Sequence, residues 1–195
     1  MVLTQKTAPT LEPVTLVEAK AHLKVTRDTE NPLIAAYIRA AREYAEIFTG
    51  RQLVTATWQL YLDTFPAYEI RLPRPPLSSV GSIKYNDVDG AQQTWSNTEY
   101  DQDTKSEPGR VALAYGESFP NIRGGEINTI IVEYDAGYAA TAGPAVAAVP
   151  APFKAAILLM VADLYEHRMS QSEIRITPNV AVDRLLWAKR IVEVV

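Results

Sequence analysis

The chain has 195 residues, of which 47% are apolar and 22% charged, with a formal net charge of −4 and no cysteine. That length suits one domain with an insertion or two small ones, and either can bury a real core. The composition excludes disulfide and thiolate chemistry, and no run approaches the twenty or so apolar residues of a membrane span. The acidic balance argues against broad adhesion to nucleic acid, leaving only a local basic face possible. With no apolar N-terminal run, the product is expected in the cytoplasm where it is made.

Residues 1–13 carry two prolines and little periodicity and read as an extended arm. Thr15 followed by Glu18 is a capping-box pattern that opens a short helix, LVEAKAHL, containing His22. A lone histidine there reads as a surface residue, because a metal site demands several ligands. Lys24 to Glu30 is a loop. From Asn31 to Gly50 the apolar residues Leu33, Ile34, Tyr37, Ile38, Ala41, Tyr44, Ala45 and Phe48 recur at three-to-four spacing. That is one broad stripe of an α-helix about 24 Å long, with Arg39, Arg42, Glu43 and Glu46 expected on the other side. Pro32 suits its first turn and Gly50 its end.

After Gly50 the period changes from near four to two. TATWQLYLDTF alternates as a half-buried strand, and EIRLP follows, ended by Pro73, Pro75 and Pro76. Val80 to Asn86 is a third strand, the turn Asp87 to Gly90 leads into AQQTW, and Tyr100 begins a weaker strand. RVALAY and, after a polar loop at Asn121 to Gly125, INTIIVEYD complete about seven strands joined mostly by turns. No helical pattern lies between them, so the region is expected to be antiparallel, a meander or small barrel.

Gly137 to Pro152 is rich in Ala, Pro and Gly and reads as a linker. Phe153 to Arg168 restores helical spacing through Phe153, Ala156, Ile157, Met160, Val161, Leu164 and Tyr165. The stripe matches that of 31–49 in length, so the two helices are expected to pair, antiparallel or nearly so. Ser170 to Asn179 is a polar loop, Val180 to Lys189 a short helix, and RIVEVV is too apolar for a solvated tail. The fold class is therefore α+β: a small helical bundle, with long helices at 31–49 and 153–168, and an inserted antiparallel β region. The expected boundaries are 1–50 and 151–195 for the helical core, 51–136 for the β insertion and 137–152 for the linker.

The candidate chemistry is thin. Asp87-x-Asp89-Gly90 matches the start of a calcium loop, but the other ligands and the distal glutamate are missing, so it reads as a turn. Ser78, Ser79 and Gly81 lie in no nucleophile or phosphate-loop signature, and Gly124 and Gly125 beside Arg123 read as a loop tip rather than a phosphate cradle. No nucleophile has a base near it and no carboxylates or ligands take catalytic or metal spacing. No catalytic residue, cofactor or metal is predicted, and an enzyme is disfavoured. A DNA-binding helix-turn-helix, using Arg39, Arg42 and Arg51, is disfavoured by interleaved glutamates and a seven-residue loop in place of a tight turn. Trp58 and Trp95 read as sheet core; Trp187, near an apolar terminus, suits core or partner contact equally.

Together VTLVEAKAHLKV, REYAEIFTGRQL, ATWQLYLDTFP, IRLPRPPLSSVGSIKYNDVDG, IIVEYDAGY, PAPFKAAILLMVADLYEHR and LLWAKRIV resemble one known pattern. The chain resembles the head-tail connector (adaptor, or head-completion) proteins of tailed bacteriophages and related particles. LPRPPL, YNDVDG and VEYDAGY in this order make the resemblance specific, and it extends over nearly the whole chain. Where that family has Pro-Tyr-Arg near the C-terminus, this chain has Ala188-Lys189-Arg190.

The resemblance implies a helical core with an inserted β region, assembling as a ring of about twelve copies beneath the portal. Such a ring extends the DNA channel and presents a platform for a stopper or tail-completion protein, with double-stranded DNA passing without specific binding. It would be built in the host cytoplasm and end at the virion neck. On that footing Arg39, Arg42, Glu43 and Glu46 are candidates for subunit contact, where opposite charges set register. Leu185, Leu186, Trp187, Arg190, Ile191 and Val192 are candidates for portal docking. Asp87, Asp89, Gly90, Arg123 and Gly124 are candidate tail-side loop tips.

Overall fold

The computed structural model describes residues 1–140, 147–167 and 179–192. The chain divides into two compact units: Met1–Pro9 with Thr55–Tyr138, and Thr10–Val54 with Ala139–Val195. The expected loop over Ser170 to Asn179 lies outside the described residues, apart from Asn179, as does the end of the tail from 193.

The first unit is made of strands. β1 (Val2–Thr7), β2 (Ala56–Leu62), β8 (Ile130–Ala136), β4 (Leu77–Asn86) and β5 (Gln92–Thr94) form one sheet in that order. β3 (Glu69–Leu72), β7 (Gly109–Leu113) and β6 (Tyr100–Asp103) form a second. Every pairing is antiparallel.

The period of two does the sorting. On one face of β2 and β8, Trp58 sits opposite Tyr134 and Leu60 opposite Val132, all buried. On the other face Thr57 donates to Asp135 at 2.7 Å and Gln59 to Glu133 at 3.0 Å. Lys6 from β1 reaches Glu133 at 2.7 Å. The apolar face joins Ile70, Leu72, Val111 and Tyr100 of the small sheet in one core. Its polar atoms are answered: the Tyr134 hydroxyl donates to the Pro73 carbonyl at 2.9 Å and the Trp95 indole to Glu99 at 2.8 Å. Phe65, Phe119 and Trp95 pack ring on ring at one end of that core.

Two expectations are corrected here. Residues 2–7 are not a free arm but an edge strand, with Leu3 opposite Leu60. Nor is the region a meander or closed barrel. β8, last in sequence, lies between β2 and β4, and the remaining strands form a separate sheet. Alternation tells a strand which face to bury, and is silent about which strand it lies beside.

The second unit is helical: α1 (Leu16–Leu23), α2 (Asn31–Thr49), α3 (Ala151–Glu166) and α4 (Val180–Trp187). Thr15 caps α1 as its sequence requires, its hydroxyl accepting the Glu18 N–H at 3.0 Å while the Glu18 carboxylate accepts the Thr15 N–H at 2.7 Å. Gly50 ends α2 at φ +68°, a conformation a side chain would strain. α2 and α3 pack on each other. Ile34, Ile38, Ala41 and Ala45 are buried from the first, and Phe153, Ala156, Ile157 and Val161 from the second. The Tyr165 hydroxyl near the end of α3 bonds Glu30 before the start of α2, as an antiparallel pair requires. The described ends of the expected linker are packed: Ala147 and Val149 are buried, and Ala148 donates to the Ala139 carbonyl at 2.8 Å.

Candidate interaction surfaces

The four charged residues expected on the outer side of α2 do not share one environment. Arg39 and Glu43 are exposed. Arg42 and Glu46 are only 4% and 6% exposed, which corrects their placement on an open face. Arg42 donates to Glu12 at 2.8 Å and to Glu46 at 2.7 Å. Glu46 also accepts from the Gln52 amide at 2.8 Å and from the Leu53 N–H at 2.9 Å. Burial raises the Glu46 carboxyl above its ordinary value, against the pull of Arg42 and the Leu53 N–H. This network ties the segment before α1 and the exit from α2 to one helix, so neither charge is available to another subunit. It also removes Arg42 from any DNA-reading face. Arg51 is likewise buried and donates to the Lys189 carbonyl at 2.6 Å.

At the C-terminus, Leu186 is fully buried and Leu185 partly so, which takes Leu186 off the docking surface expected of it. The reason is the helical period: Val182 and Leu186, four apart on α4, face inward together. Trp187 is 62% exposed and Val192 is 72% exposed. Arg190 holds its guanidinium 5.0 Å from the Trp187 ring centre and 5.6 Å from that of Phe48. The Phe48 ring in turn stacks on Tyr44 at 6.0 Å and meets Trp187 edge-on at 6.4 Å. Ile191 is partly buried, its N–H donating to the Thr49 carbonyl at 2.9 Å. The tail through Val192 thus runs back over the end of α2, leaving one aromatic and cationic ledge in solvent.

The two loop tips, read separately from sequence, come together. Asp87 accepts the N–H groups of Asp89 and Ala91 and the Gln93 amide, which hold its carboxyl below the usual range, the Gln93 bond foremost. All of these are turn bonds, so the carboxylate is spent on shaping the loop. Gly90, at φ +85°, lies so close under the Arg123 guanidinium that a Cβ there would sit 2.3 Å from Nη1. The Arg123 N–H donates to the Asn86 carbonyl at 3.1 Å. Asp89, Arg123 and Gly124 are exposed.

Residues 13–101 match the family model described as phage gp6-like head-tail connector protein. Over those residues, a little under half of the chain, it is similar to phage head-tail connector proteins. Head completion protein gp6 of Enterobacteria phage HK97 is 43% identical over 42 residues, 22% of this chain and 39% of that protein. Among solved structures, a chain in the neck of an empty gene transfer agent particle, computed with sixfold symmetry, has the same fold. The TM-score is 0.81 at 21% identity, covering 100% of this chain and 98% of that one. A chain in the neck of the native particle, computed with twelvefold symmetry, matches at TM-score 0.78 and 22% identity with the same coverage.

In this chain the sequence pattern failed to mark several exposed apolar residues. Ile47 is 72% exposed, Tyr68 85% and Tyr115 fully so. Ile47 lies nine residues from the buried Ile38, half a turn away from the stripe of α2, so its exposure follows the helical period. Tyr68 and Tyr115 flank β3 and β7 at one end of the small sheet, where Glu69 opposes Ala112. Their only sequence signal was an aromatic just outside a strand.

Proposed function

We propose that this chain is a head-tail connector, a structural virion protein and not an enzyme. It forms a ring of about twelve copies beneath the portal, lengthens the DNA channel and gives the stopper or tail a platform. The family match over residues 13–101 carries this reading. The likeness to a neck chain computed with twelvefold symmetry supports the ring. A net charge of −4 per copy suits a channel through which DNA slides without the phosphate attraction of a binding protein. Assembly takes place in the host cytoplasm, and the finished protein sits in the virion neck.

The C-terminal ledge is the portal contact in this proposal, with Trp187 and Val192 as apolar anchors and Arg190 as the polar partner. Deleting residues 184–195 would not test it cleanly, since that removes the core residue Leu186 and the Ile191 bond to Thr49. The surface pair Trp187→Ala and Val192→Asp does. Mixing native chain with its portal, followed by pull-down and imaging, is expected to give rings on the portal. The pair should weaken capture about tenfold or more, as loss of a buried aromatic anchor does, with thermal melting unchanged. Unchanged capture would remove the ledge from the contact. A native chain that neither binds the portal nor makes rings would overturn the function itself.

A further inference from the structure

The helical unit carries two grooves that flank the buried stripe of α2. One, about 330 Å3, lies where the chain enters α1 and is lined by Val14, Leu16, Ala35 and Arg39, among others. The second, about 290 Å3, lies among α2, α3 and α4, with Tyr44, Met160, Leu164 and Val182 as apolar lining and Asp163 and Asp183 as its carboxylates. Ala35 and Tyr44 are nine residues apart in a helix of 3.6 residues per turn, so they point about half a turn away from each other.

The two sides differ in charge. Arg39 is exposed and has no ion-pair partner among the described residues. Glu12, which also lines its groove, is bound to Arg42. Val14, Leu16, Ala35 and Ile38 supply the apolar lining on that side. On the opposite side Asp183 likewise has no ion-pair partner among the described residues, and Asp163 is held by His167 at 3.1 Å. Tyr44, in its lining, is 45% exposed. One side offers a lone cation on apolar ground, the other a lone carboxylate over an apolar groove.

We propose that a second copy of this chain is the occupant: the Arg39 side of one subunit seats in the Asp183 groove of the next. This rests on the ring reading and adds which faces meet. A ring contact joins two unlike faces of identical subunits, and the two must be complementary to each other, not each to itself. Like sides pressed together would set Arg39 against Arg39 or Asp183 against Asp183, which disfavours a two-fold pair. Because the two sides point apart, one copy cannot satisfy both, and the contact propagates.

The chain has no cysteine, so an engineered pair reports cleanly. Arg39→Cys with Asp183→Cys, oxidised after assembly with the portal, is expected to give a covalent ladder running past the dimer on a denaturing gel. Arg39→Glu alone and Asp183→Lys alone should each reduce assembly about tenfold or more, and the two together should restore it. Native rings combined with charge reversals that assemble normally, or with a cysteine pair that stays monomeric or stops at a dimer, would overturn the assignment while leaving the ring intact. A native chain that forms no ring overturns both readings.

Discussion

The strand unit and the helical unit solve the same packing problem in opposite ways. In the strands, every charged group stays at the surface and the core is apolar apart from capped tyrosine and tryptophan polar atoms. In the helices a guanidinium and a carboxylate are drawn inside; large apolar groups are left in water in both units, Trp187, Ile47 and Val17 in the helices and Tyr68 and Tyr115 beside the small sheet. A buried ion network adds little net stability for its desolvation cost, but it fixes geometry, because few arrangements satisfy all its bonds. Exposed apolar groups of this size gain when a partner covers them. The contrast between the units therefore lies in where charge is buried, within the helices and not within the strands.

The largest effect should come from breaking the buried network. Arg42→Ala removes the guanidinium that Glu46 holds at 2.7 Å and leaves that carboxylate inside, and a loss of about 3–5 kcal/mol is expected. Thermal unfolding followed by circular dichroism measures it. Arg42→Met, which fills the space without the charge, should be no better, because Glu46 remains. A loss below about 1 kcal/mol for both would put the network at the level of a surface ion pair and erase the contrast between the units.

The corresponding weak point among the strands is steric. Gly109 opens β7, and a Cβ there would lie 2.5 Å from the Leu77 Cβ of β4. No flexible tip can swing away, since the obstructing atom is fixed to the backbone. Gly109→Ala should therefore cost about 1–3 kcal/mol by overpacking, despite the better intrinsic behaviour of alanine in a strand. Gly124→Ala, with open space around it, is the control and should be neutral. Equal stability for both would mean that the two sheets are not held at that separation.

Local periodicity made most elements legible. α2 was readable to within a residue, and so was the capping box of α1, because both depend on neighbours three or four residues away. What escaped depends on distant partners. Arg42 and Glu46 look like solvent-facing residues until Glu12, thirty positions earlier, and Gln52, beyond the helix, close around them. β1 has only Leu3 turned toward the core and becomes a strand because β2 has a free edge. Leu186 could be assigned inward from its spacing to Val182, yet the apolar run around it drew the whole tail into one reading. The pairing of the loop tips through Gly90 and Arg123 has no sequence signal at all.

Acid should separate the units more gently. In the strand unit Asp103 accepts from the Ser106 hydroxyl at 2.6 Å, the Lys105 and Ser106 N–H groups and Arg110, and the Ser106 bond leads in holding it far below the usual carboxylate range. Glu69, bound by Arg71 and Arg110, and Asp87, bound first by Gln93, are lowered too. A carboxyl lowered on folding contributes stability that is full above its unfolded value and disappears as pH falls through its folded value. Acidification from neutral to below about pH 4 therefore weakens the strands. In the helical unit Glu18 and Asp28 act in the same sense, but Glu46, raised by burial, acts in the other: its contribution is full below its unfolded value and is lost as pH rises through the raised one. Intrinsic fluorescence, in which two of the three tryptophans, Trp58 and Trp95, report on the strands, should change at a higher pH than helical circular dichroism does. Asp103→Asn should lower stability at neutral pH and flatten its dependence on acid. An unaltered slope would mean that the Ser106 and Arg110 bonds form equally in the unfolded chain, and the strand unit would then hold no electrostatic advantage over the helices.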